Sequence, residues 1–197
     1  MKGLIDFEPA TYYHVINHAV GSENLFRTEG NYHYFLEKYA HYSSSVFSTI
    51  AYCLMPNHIH FLVKTHSEIT LEAHPKYKLN FHKLVMQEIS NLLNAYAKAY
   101  NIKYNRKGAL WIDYTKRFKV DSESYLTSVI NYIHQNPVKH GFIGSAEDWH
   151  FSSFNAIVSE KSTLLKREDV VHWFGGKENY LKFHLKETGS LNCDWEY

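Results

Sequence analysis

Residues 55–63 (MPNHIHFLV) constrain this chain more than any other stretch, because they set two imidazoles around one apolar residue in a strand-like run. Successive side chains of a strand point to opposite faces, so His58 and His60 share one face while Ile59 and Phe61 can enter a core. That spacing suits two ligands on one metal ion. It also suits a structural pair, the commoner meaning of His-x-His in a strand. Residues 46–54 (VFSTIAYCL) read as a preceding strand, and Pro56 with Asn57 makes the break that lets residues 58–64 return antiparallel to it.

The rest of the chain supplies what such a hairpin needs for a core. Residues 12–20 have strand-forming side chains and close at Gly21-Ser22. Residues 31–42 (NYHYFLEKYAHY) repeat aromatic and apolar positions at helical spacing, with Thr28 or Asn31 as N-cap. Residues 65–77 are polar and irregular and read as a loop. Over residues 80–100, Phe81, Leu84, Val85, Ile89, Leu92, Leu93, Tyr96 and Ala99 trace one stripe of a long helix. A basic loop (101–108) leads to a short strand ending near Phe118 or Val120. Asp121-Ser122-Glu123 then cap a helix over 125–135 that Pro137 and Gly141 should end. The order strand, helix, strand, strand, helix, strand, helix predicts an α+β, ferredoxin-like sandwich: one antiparallel sheet with helices packed on it.

At 197 residues the chain can bury a core without disulfide or metal staples. Cys53 and Cys193 read as free thiols of a reducing cytosol. The opening residues contain Asp6 and Glu8 and no long apolar run, and no stretch is apolar enough to span a bilayer, so a cytoplasmic protein without a signal peptide is expected. Net charge is only +1, from 21 basic and 20 acidic residues, so composition makes no global case for nucleic acid. Any such case must be local.

A second constellation lies in residues 131–141 (NYIHQNPVKHG). Tyr132 and Asn136 are four apart on a helix and share a face, so a phenol and an amide oxygen project side by side. They suit a nucleophile beside a metal ligand, or a half-buried core aromatic beside a C-terminal cap. His134, two residues from Tyr132, points to another side and reads as structural or DNA-contacting. Two alternatives for the histidine pair fail on sequence. A histidine-triad hydrolase needs a third His where Leu62 stands, and a metal-dependent amidohydrolase barrel needs a longer chain.

Together, MPNHIHFLV, ALWIDYTKRFKV, SYLTSVINYIHQNPVKHGFI and WHFSSF resemble, in order and spacing, the IS200-like transposases with one catalytic tyrosine, including relatives associated with repetitive extragenic palindromes. The resemblance covers roughly residues 10–155, implying a transposase domain over 1–155 and an extension over 156–197 whose aromatic residues could cover the core, bind DNA or build an oligomer contact. It implies that His58 and His60 are metal ligands, Asn136 the third ligand and Tyr132 the nucleophile. The activity implied is metal-dependent cleavage and strand transfer of single-stranded DNA beside hairpins through a 5′-phosphotyrosine. Two neutral imidazoles with an amide oxygen and no cysteine suit Mg or Mn better than a closed zinc site.

Local basic clusters with interleaved aromatics fit a single-stranded DNA surface: Lys103, Arg106 and Lys107; Lys116, Arg117 and Lys119 beside Trp111; and Lys139 with His140. Related transposases form dimers, while palindrome-associated relatives act as monomers, so a homodimer stays open. Two rivals remain: a domesticated protein that binds hairpin DNA without cutting, and a small-molecule metal phosphodiesterase with no need of Tyr132.

Overall fold

The computed structural model describes residues 5–74, 77 and 80–186. Strands β1 (Tyr12–His18), β2 (Phe47–Leu54), β3 (His58–Thr65) and β4 (Lys116–Val120) form one antiparallel sheet in the order β2-β3-β1-β4. Helix α1 (Glu29–Ser43) follows β1, and the short α2 (Glu68–Glu72) and long α3 (Phe81–Lys103) follow β3. Helix α4 (Glu123–Lys139) follows β4. This is the expected ferredoxin-like sandwich. Beyond α4 come a turn of 3-10 helix, then α5 (Phe154–Val158), α6 (Arg167–Trp173) and α7 (Lys177–Lys186).

The strands' period of two sorts side chains into two cores. Tyr13 and Val15 of β1 with Ile59, Phe61 and Val63 of β3 face α1 and α3, joining Phe35, Tyr39, Leu92 and Tyr96. Ile16 of β1 and Leu62 of β3 face the other way, toward Val129, Ile130 and Ile133 of α4. Each such buried aliphatic side chain contributes roughly 1.5–3 kcal/mol by leaving water. The register of β2 on β3 shifts between Thr49 and Ala51, so Ile50 and Ala51 both enter the second core.

Helix α4 is buried on both sides. Ser122 caps it, its side chain accepting the Tyr125 N–H, and every residue from Val129 to Pro137 is buried. The expectation that Pro137 ends this helix is corrected. Pro137 lies inside it, and the chain turns away only at Gly141, where φ is +71°. Proline removes one backbone hydrogen bond, to Ile133, but packing on both flanks keeps the last turn wound. Two smaller corrections have local causes. The 65–77 loop contains α2, capped by Ser67 accepting the Thr70 N–H, and α3 runs one turn into the supposed basic loop.

Side chains from residues 156–184 pack into the second core. Ile157, Val170, Phe174 and Tyr180 are buried in the second core beside Phe154, so a boundary at 155/156 would cut α5 and one continuous cluster. Trp173 stands edge-on to Tyr12 at 5.7 Å, and Phe183 packs on the same cluster. The Cys53 thiol is buried and unbridged, while Cys193 lies outside the described residues. Among the described residues no helix is long and apolar enough to cross a membrane.

Candidate active site

The face of the sheet turned toward α4 carries a histidine cluster. Antiparallel pairing sets His18 opposite His58 and Ile16 opposite His60, and β1 alternation puts His14 on the same face. The His18 and His58 rings stack at 4.9 Å, and His58 meets His60 edge-on at 4.9 Å. His14 Nε2 and His60 Nδ1 are 3.0 Å apart. From α4, the Tyr132 ring stands edge-on to both His14 and His60, each at 5.8 Å between centroids. The sequence placed these residues on a strand and a distant helix, and packing of α4 on the sheet brings them together.

Burial holds the imidazoles neutral. His58 and His14 are each pushed down to about 3, the neighbouring His18 and His140 adding to the effect at His58, where Asn136 opposes it. His60 lies well below the ordinary range, first from burial and then from the histidines around it. Neutral imidazole is the ligating form. His58 Nδ1 lies 2.8 Å from Asn57 Oδ1. Since that oxygen only accepts, His58 carries its hydrogen on Nδ1 and keeps an Nε2 lone pair. His60 Nδ1 is taken up by the contact with His14 Nε2, and its Nε2 is buried with no hydrogen-bond partner.

Asn136 supplies the matching oxygen. Its Nδ2 donates to the Tyr132 carbonyl at 2.9 Å, while its Oδ1 is buried without a partner. A buried polar atom left unpaired costs about 1–3 kcal/mol, and here one nitrogen and one oxygen are so left on neighbouring side chains. Among the described residues no group of three His, Cys, Asp or Glu is arranged to hold a metal. The set here is different, two imidazoles and an amide, and its unpaired lone pairs fit a divalent cation. Sequence reasoning missed His14 and His18 as members of this cluster. The signal that could have found them was their i, i+4 spacing on β1, which puts both on one face.

The surroundings are cationic and open on one side. Lys116, opposite Ile16 on β4, faces the same side of the sheet and is buried, and the Lys139 ammonium lies 4.5 Å from the centre of the Tyr132 ring. The His140 ring is 5.4 Å from His58. A groove of about 770 Å³ opens beside them, lined by His18, Arg27, His58, His140 and Phe142 among others. Tyr132 itself is only 2% exposed.

The other residues read as DNA-contacting sit elsewhere. The Trp111 indole is buried in the first core and donates to the Leu93 carbonyl at 3.0 Å. Arg117 is turned to the opposite face, where it bonds the Ile5 and Thr115 carbonyls and covers the Phe7 ring. Arg106 pairs with Glu23 at 3.0 Å and ties its loop through the Ala109 carbonyl, and Lys119 pairs with Glu8 at 2.6 Å. Lys103 lies over Tyr104, and Lys107 is exposed. His134 is fully buried.

No protein-family model matches the chain. A curated "Putative REP-associated tyrosine transposase" of Haemophilus influenzae is 30% identical over 112 residues, 55% of this chain and 60% of that protein. Among solved structures, a REP-associated tyrosine transposase bound to a REP hairpin is similar with a TM-score of 0.62 at 16% identity, over 81% of this chain and 87% of that one. The chain resembles the REP-associated tyrosine transposases in sequence and in fold. The sequence match spans less than two thirds of the Haemophilus protein's length, and the structural likeness, at its low identity, is one of fold.

Proposed function

We propose that this protein is a DNA transposase: a metal-dependent single-stranded DNA endonuclease and strand transferase that acts beside hairpins, with Tyr132 as nucleophile. The observation that carries the reading is the meeting of Tyr132 with His60 at 5.8 Å beside two buried atoms, His60 Nε2 and Asn136 Oδ1, that lack partners within the protein. Mg²⁺ or Mn²⁺ held by His58, His60 and Asn136 would polarise the scissile phosphate.

The chain's own groups do the rest. The Tyr132 oxygen attacks phosphorus and gives up its proton to solvent. The bond from phosphorus to the 3′ oxygen breaks, and that oxygen takes up a proton and leaves as a hydroxyl, with the 5′ phosphate on tyrosine. A phenol ordinarily ionises near pH ~10 and is a weak nucleophile at neutral pH. The Lys139 ammonium over the Tyr132 ring stabilises negative charge developing on the phenol. Lys116 and Lys139 balance phosphate charge on either side, and the groove past His58 offers Arg27 to phosphate and the half-exposed Phe142 ring to a base. Tyr132, His58, His60 and Asn136 come from one chain, which supports a site complete in a monomer.

Labelled hairpin oligonucleotide with single-stranded flanks, incubated with Mn²⁺ or Mg²⁺ and run on a denaturing gel, tests this reading. Wild type should give a covalent protein–DNA adduct that needs metal, and Tyr132→Phe should give none while still folding and binding the hairpin. An adduct formed equally by Tyr132→Phe would remove Tyr132 from the chemistry. The near-complete burial of Tyr132 favours a second reading, a hairpin-binding protein that does not cut. Tight binding by wild type with no adduct under either metal would select it.

A further inference from the structure

We infer that α7 is a clamp on the tyrosine helix: His184 and Tyr180, acting through His134 and Gln135, fix the rotation of α4 that turns Tyr132 and Asn136 toward β3. The inference rests on the nuclease reading for its functional consequence and on packing for its structural one.

A hydrogen-bonded chain runs from β2 through α4 to α7. The Tyr52 N–H donates to Ser153 Oγ at 2.8 Å, Ser153 Oγ lies 2.8 Å from His134 Nε2, His134 Nδ1 lies 3.0 Å from His184 Nε2, and His184 Nδ1 lies 2.8 Å from the Tyr180 carbonyl. One proton assignment satisfies it. A carbonyl only accepts, so His184 holds its hydrogen on Nδ1 and accepts at Nε2. His134 therefore donates from Nδ1 and accepts from the Ser153 hydroxyl. Burial pushes His184 down to about 4 and His134 well below the ordinary range, which keeps both rings neutral, as this assignment requires.

Around this chain, Gln135 Nε2 donates to the His184 carbonyl at 2.7 Å, and the Tyr180 hydroxyl lies 3.2 Å from both His134 Nδ1 and the Phe154 carbonyl. Every polar atom of the two rings is used.

The clamp grips α4 where it is weakest. Pro137 cannot donate to the Ile133 carbonyl, so the turn carrying Tyr132 to Asn136 lacks one of its backbone bonds. His134 and Gln135 project from this same turn. At about 100° per residue, His134 lies roughly opposite Tyr132, while Asn136 shares the Tyr132 side. Rotating α4 enough to lift Tyr132 off His60 would tear His134 from His184. His184 is thus a positioning residue.

The test compares full-length wild type, His184→Leu and His184→Gln by single-turnover adduct formation on saturating hairpin oligonucleotide with Mn²⁺, by hairpin affinity, and by hydrogen–deuterium exchange. His184→Leu should slow adduct formation about tenfold or more, leave affinity within roughly twofold, and speed exchange over residues 129–139 but not in α1 or α3. His184→Gln, whose side-chain oxygen can accept from His134, should recover most of the rate. Wild-type rate and wild-type α4 exchange in His184→Leu would overturn the clamp. So would an equal loss in both variants with faster exchange throughout the molecule. If wild type itself forms no adduct, the nuclease reading falls, and exchange in α4 alone decides the clamp.

Discussion

Two histidine clusters lie on opposite sides of α4 and are satisfied in opposite ways. On the sheet side, His60 Nε2 and Asn136 Oδ1 are buried with no well-formed hydrogen bond, although Asn136 stands close enough to His58 to raise that ring's proton affinity. On the α7 side, both nitrogens of His134 and of His184 have partners between 2.8 and 3.2 Å away. Burial depresses the histidines of both clusters alike, so proton affinity does not tell them apart. Hydrogen-bond bookkeeping does. The paired cluster on the α7 side is satisfied within the fold, whereas the lone pairs left on the sheet side carry a free-energy cost that the proposed metal would relieve.

The comparison breaks if the two sides respond alike to substitution. The largest difference is expected in metal affinity. His60→Ala should weaken Mn²⁺ binding by two to three orders of magnitude, about 3–4 kcal/mol, followed by electron paramagnetic resonance of free Mn²⁺, while His134→Leu leaves it within about tenfold. Equal Mn²⁺ affinity for His60→Ala and wild type would remove the ion from this site.

Acid should destabilise through both clusters, and His184 isolates the share of the α7 side. The folded pKa of His184, about 4, lies below its ordinary value near 6.5, so its contribution to stability is complete above pH ~6.5 and is lost as pH falls through about 4. The loss is on the order of 3 kcal/mol at about 1.4 kcal/mol per unit. Urea midpoints between pH 7 and pH 4 measure it, and a His184→Gln variant should show a flatter profile. An unchanged slope would mean that His184 is not held neutral.

Removing one partner of a paired buried group is the next effect. His134→Leu strands His184 Nε2, while the Ser153 hydroxyl keeps the Tyr52 backbone as its partner, and should lower unfolding free energy by about 2–3 kcal/mol. The smallest effect sharpens the contrast most. Asn136→Leu removes an unpaired oxygen, so in metal-free protein it should change stability by less than about 1 kcal/mol, or raise it, while abolishing the metal-dependent gain. A large loss in metal-free Asn136→Leu would make Asn136 structural.

Much of this arrangement was legible in the letters, and the exceptions share a cause. Alternation placed His58 and His60 on one face and Ile59 and Phe61 on the other, as found. Helical spacing placed Tyr132 with Asn136. The basic clusters fared worse, because Lys, Arg and Trp beside one another in sequence alternate across a strand or turn inward. Lys116 faces the site, Arg117 the opposite side, and Trp111 the core. Pro137 was read as a stop because its local penalty is certain, whereas the packing that offsets it comes from α7, forty residues on.

The sequence alone thus determined the periodicities: which residues make strands and helices, which share a face, and that a phenol and an amide travel together on one turn. Periodicity is a property of neighbours along the chain. Only the tertiary structure decided that β1 would lay His14 and His18 against His60 and His58, that α4 would press Tyr132 onto that cluster, and that α7 would hold α4 from behind. Strand register and helix docking are fixed by burial and hydrogen bonding between distant segments, for which no single stretch of sequence carries the information.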